Sequence, residues 1–135
     1  MNLELKRKYR SLVEKLYLRT KEEKISWKWD VDDKKVTARI FDQYVDILKG
    51  VNANFEDLYT ISVFGSTGYL VEQFNDEMIG GPSAHPKISG FESYYLLISA
   101  LYDLAYRQSI GADKALDTLL LKLDEDDMDS DDLPF

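Results

Sequence analysis

Phe135 joins a large apolar ring and, as the last residue of the sequence, an α-carboxylate. A pocket with an apolar floor and a flanking Arg or Lys captures both groups at once. Leu133 offers a second apolar contact. Pro134 has its φ fixed, which lowers the ordering cost of the segment. Asp129, Asp131 and Asp132 stand just upstream, where they need no exact geometry to steer the segment toward a basic ridge and raise the association rate. Burying Phe135 and Leu133 contributes about 2–3 kcal/mol each, and charge-assisted bonds to the carboxylate add about 1.5–3 kcal/mol. The expected result is docking of micromolar strength, near −8 kcal/mol, that weakens with salt. The close spacing of Asp126, Asp127, Asp129 and Asp131 also suits a divalent cation, but the glycine and distal glutamate of a calcium loop are missing, and no metal site is expected.

A second group of residues suits nucleic acid. Lys6, Arg7, Lys8 and Arg10 are candidate phosphate contacts near the start of the chain. Lys28, Arg39 and Phe41, with Phe64, combine cations with aromatic rings on which bases stack. The plainer accounts are an exposed helix face for the first set, and a solvated sheet face or dimer interface for the second. Trp27 and Trp29 are expected in the core.

The run of carboxylates that closes on Asp131-Asp132-Leu133-Pro134-Phe135 resembles the C-terminal tip of bacterial single-stranded-DNA-binding protein. In that family acidic residues precede isoleucine or leucine, then proline, then a terminal phenylalanine. The resemblance covers about the last ten residues. It implies docking onto proteins of DNA replication, recombination and repair that hold a pocket for such a tail. The family's body is an OB-fold with its helix between the third and fourth strands. The pattern here differs, so no DNA-contacting residue is carried over. Three roles follow as expectations: a non-enzymatic interaction protein that recruits or competes through its tip, a non-OB single-stranded-DNA-binding protein with a partner-recruiting tail, or a small binding or immunity-type protein unrelated to DNA.

No enzyme signature stands out, and no cofactor is expected. The one histidine, His85, lies between prolines in a glycine-rich loop without a readable elbow or acid partner. Gly65-Ser66-Thr67-Gly68 lacks the lysine and spacing of a phosphate-binding loop. There is no cysteine, hence no disulfide or thiolate site. No apolar run reaches membrane-spanning length and no secretory signal is evident, so the expected location is cytoplasmic. Nothing in the sequence fixes an oligomeric state.

Charge is distributed unevenly. The 135 residues hold 17 bases and 25 acids, a net of −8. Residues 124–135 contribute seven of those acids and no base. The rest of the chain is therefore nearly neutral, which argues against strong non-specific affinity for DNA.

The elements that must position these groups follow from periodicity. Helical spacing of Tyr9, Leu12, Val13, Leu16 and Tyr17 predicts a helix over 3–24. Alternation predicts strands over 25–31, 36–41, 44–49, 58–64 and 69–74, joined by short turns as an antiparallel meander. The turn after the second strand is placed at Asp42-Gln43. A loop is expected over 75–90, then helices over 91–109 and 113–123, separated by Gly111. The expected class is α+β: an N-terminal helix, a five-stranded meander and two C-terminal helices packed on one sheet face. Residues 1–123 form one domain, and 124–135 form a flexible acidic tail.

Overall fold

The computed structural model describes residues 1–81 and 84–125. The expected disorder of the tail and the docking residues Asp129, Asp131, Asp132, Leu133, Pro134 and Phe135 lie outside the described residues.

Helix α1 runs Leu3–Lys21. Asn2 caps it by accepting a hydrogen bond from the Leu5 N–H at 2.7 Å, while Glu4 in the first turn and Arg19 and Lys21 in the last complement the helix dipole. Tyr9, Val13, Leu16 and Thr20 recur every three or four residues and are buried. Five strands follow: β1 Trp27–Asp30, β2 Lys35–Ile40, β3 Gln43–Val51, β4 Asp57–Phe64 and β5 Leu70–Asn75. They form one antiparallel sheet in chain order. Helices α2 Asp76–Ile79, α3 Tyr94–Ser109 and α4 Ala112–Asp124 complete the described chain. The expected α+β order of a helix, an antiparallel five-stranded meander and C-terminal helices is the architecture observed.

One sheet face is covered. Trp27, Val36, Ala38, Val45, Ile47, Tyr59, Ile61 and Phe74 are buried with the inward residues of α1 and α3 in a single core. Thr20 ties the layers together. Its Oγ1 accepts from Trp27 Nε1 at 2.9 Å, and its carbonyl accepts from Gln108 Nε2 at 2.8 Å. Both tryptophans belong to this side, as expected: Trp27 is buried, and Trp29 meets Tyr106 edge-on at 4.9 Å.

The structure departs from the sequence reading in four places. The Asp30 carboxylate accepts from the N–H groups of Asp32 and Asp33, which turns the chain early and leaves Val31 71% exposed instead of in the core. The β2–β3 turn consists of Phe41 and Asp42, because Ile40 pairs with Gln43. The segment expected as loop from residue 75 begins with α2, capped by Asn75.

The fourth departure concerns the last helix, which does not share the packing of α3 against the sheet. Gly111 adopts the left-handed conformation at φ 70°, and no side chain of α4 is buried. This conformation, cheap only for glycine, turns the chain away from the layer. Among the described residues no helix is long and apolar enough to cross a membrane.

Candidate interaction surface on the open sheet face

Among the described residues no helix covers the second face of the sheet. Strand register orders its side chains into rows. Arg39 lies opposite Tyr44, Tyr44 opposite Phe64, and Phe64 opposite Leu70. The next row runs from Lys28 through Thr37, Asp46 and Ser62 to Gln73. Part of this row is already paired: Gln73 Nε2 donates to Ser62 Oγ at 3.0 Å. The buried Asp46 carboxylate takes the Lys35 ammonium at 2.6 Å. That hydrogen bond raises the Lys35 ammonium above the usual lysine range. Lys35 also lies 5.9 Å from the centre of the Phe64 ring.

Lys28 and Arg39 are different. Both are exposed, and neither pairs with a carboxylate among the described residues. With Ser26, Thr37 and Tyr44 they line a shallow hollow of about 360 Å³. At its rim Arg39 Nε donates to the Phe41 carbonyl at 3.0 Å. Phe41 sits in the turn at φ 57° and is 92% exposed. A bulky residue at positive φ is a conformational outlier, so the turn presents an aromatic ring where a glycine would fit more easily. Tyr69, Leu70 and Val71, all exposed, follow the β4–β5 turn. That turn lies at the same end of the sheet as Phe41, because alternate hairpins of a meander share an end.

The sequence-derived cations do not form one surface. Lys28, Arg39 and Phe41 belong to the open face and its rim. Lys6, Arg7 and Lys8 lie on α1, the layer covering the opposite face, where Arg7 and Lys8 are exposed and Lys6 is half-buried. Arg10 serves the fold: its Nε donates to the Ile79 carbonyl at 2.8 Å, and its guanidinium lies 5.4 Å from the Tyr94 ring centre. Tyr44, Tyr69 and Leu70 were missed by the residue-level reading. Alternation from Val45 places Tyr44 outward, but the other two depend on the bulge between Val63 and Phe64.

A larger groove, about 570 Å³, lies where α1 and α3 end and is lined by Lys21, Lys24, Arg107 and Lys114 among others. Arg107 is partly neutralised there by Asp113 at 2.6 Å. The two hollows share Ser26. His85 Nδ1 lies 3.1 Å from the Glu92 carbonyl, an exposed loop contact. Among the described residues no cluster of three or more His, Asp or Glu side chains is arranged to hold a metal. No family model matches the chain, and neither a curated protein nor a solved structure matches it.

Proposed function

We propose that this protein is a non-enzymatic interaction protein of DNA replication, recombination or repair. It docks on genome-maintenance proteins through Asp129, Asp131, Asp132, Leu133, Pro134 and Phe135, and so recruits them or competes for them. The observation that carries the proposal is the coincidence of an acidic run with Leu133-Pro134-Phe135 at the end of the sequence. The position of α4 supports it: the helix ends at Asp124 with none of its side chains buried, so the tail segment starts from the exposed end of an exposed helix.

A second reading has a specific observation in its favour. The open sheet face sets exposed Lys28 and Arg39 beside Tyr44 and Phe41, the mix of cations and aromatic platforms that single-stranded nucleic acid needs. In this version the body binds the strand and the tail recruits partners.

One titration distinguishes the readings. Wild-type protein, a Phe135 deletion and an Arg39→Ala/Tyr44→Ala double variant are each titrated against a labelled oligothymidine and against a repair enzyme that takes such tails. The docking proposal predicts micromolar enzyme binding that is lost with Phe135 and kept in the double variant. Single-strand binding lost in the double variant and kept without Phe135 supports the second reading. Enzyme binding that survives deletion of Phe135 overturns docking through the tip, and no binding to either probe at micromolar protein overturns both readings and leaves a binding protein unrelated to DNA.

A further inference from the structure

Helix α4 has an apolar stripe with no cover among the described residues. Ala112, Ala115, Leu116, Leu119, Leu120 and Leu123 recur every three or four residues along one side. In a helix that packs on its own core these residues would be buried. Here Leu116, Leu119, Leu120 and Leu123 are 49, 54, 52 and 50% exposed. A helix of 13 residues is marginal in water by itself, and exposed apolar residues gathered on one side, unlike ones scattered singly, mark an interaction site.

We infer that α4 pairs with α4 of a second copy, antiparallel, to make a homodimer. Three observations select this occupant. The first is the seam. Ala112, Leu116, Leu119 and Leu123 are spaced four, three and four, the repeat on which two helices interlock. Run against itself, the helix sets Leu116 opposite Leu119 of the second copy and Ala112 opposite Leu123 of the second copy. The largest side chains thus fall opposite the smallest at the ends and opposite each other in the middle.

The second observation is charge. A parallel pair would bring Asp124 and Glu125 alongside Asp124 and Glu125 of the other copy. The antiparallel pair separates the two acidic helix ends by the helix length, about 20 Å, roughly two Debye lengths at physiological salt. It also opposes the two helix dipoles. The third observation removes a lipid surface as the occupant: Asp113, Asp117, Asp124 and Glu125 outnumber Lys114 and Lys122, so anionic headgroups repel the helix. A single helix of 13 residues, about 20 Å long, is short for the ~800 Å² per partner of a standard stable complex. The dimer is therefore concentration-dependent.

Sedimentation equilibrium of the full chain from about 1 to about 300 μM, a range that brackets micromolar affinity, is expected to show monomer converting to dimer. A Leu116→Glu/Leu119→Glu variant is expected to remain monomeric throughout. Its near-UV circular dichroism is expected to match wild type, because neither side chain belongs to the core. The chain has no cysteine, so Ala112→Cys and Leu123→Cys report on direction. Antiparallel pairing gives disulfide dimers when the two variants are mixed and few when either is oxidised alone. Wild type that stays monomeric, or a dimer that survives the double glutamate substitution, overturns the inference. Efficient disulfides within each single variant overturn the antiparallel arrangement.

Discussion

Glu14 Oε2 accepts two hydrogen bonds, from the Tyr94 hydroxyl at 2.9 Å and from the Lys87 N–H at 2.9 Å. One carboxylate thereby joins α1 to the first turn of α3 and to the loop before it. Burial, with help from the Glu14 hydrogen bond and charge, pushes the Tyr94 hydroxyl up to about 12 from an ordinary 10. The sign follows directly. A hydroxyl whose folded value exceeds its unfolded value binds its proton more tightly in the native state. Its stabilisation is complete below pH 10 and is lost as pH rises toward about 12. Urea unfolding across that interval is expected to show falling stability in the wild type and a shallower fall in Tyr94→Phe. At neutral pH the same variant is expected to lose about 1 kcal/mol, the net worth of one hydrogen bond. Identical slopes for the two proteins would show that Tyr94 is not the group responsible.

Elements were legible to different degrees, for reasons that residues make plain. In β1 the alternation of Trp27, Lys28 and Trp29 gives the correct faces, because both tryptophans need the core. It fails at Val31, where the Asp30 carboxylate captures two backbone N–H groups and ends the strand. A local polar bond of this kind competes with sheet pairing and has no periodic signature. The four-residue α2 is too short to show a period. In α4 the leucine pattern reports which side is apolar but not whether anything covers it. The link from α1 to β1 through Thr20 was likewise invisible, since it joins residues on separate elements. Thr20 is fully buried and accepts from the Trp27 indole. Thr20→Val keeps the shape and removes the acceptor, leaving a buried N–H unsatisfied. Chemical denaturation is expected to show a loss of about 1–3 kcal/mol. Ser in place of Thr20 keeps the hydroxyl and is expected to lose less; a loss in Ser with none in Val would assign the effect to packing alone.

At the scale of the whole molecule, the fold and its proposed message occupy different parts of the chain. The buried hydrophobic residues described run from Tyr9 to Ala105, whereas residues 126–135 hold five aspartates and the Leu133-Pro134-Phe135 tip. Removing residues 126–135 takes five negative charges from a net of −8 and leaves every core residue described above in place. Stability is therefore expected to change by less than about 0.5 kcal/mol, as for surface changes away from caps, networks and core. Thermal and urea unfolding of the truncated and full-length chains are expected to coincide within that limit. If the open face binds single strands, truncation also removes a diffuse repulsion of phosphate. Affinity for an oligothymidine then rises at low salt, and the difference shrinks as salt screens it. Docking on a repair enzyme is expected to vanish with the same truncation and to weaken with salt in the full-length protein. A large loss of stability on truncation would place the tail within the cooperative fold and would count against a segment reserved for partners.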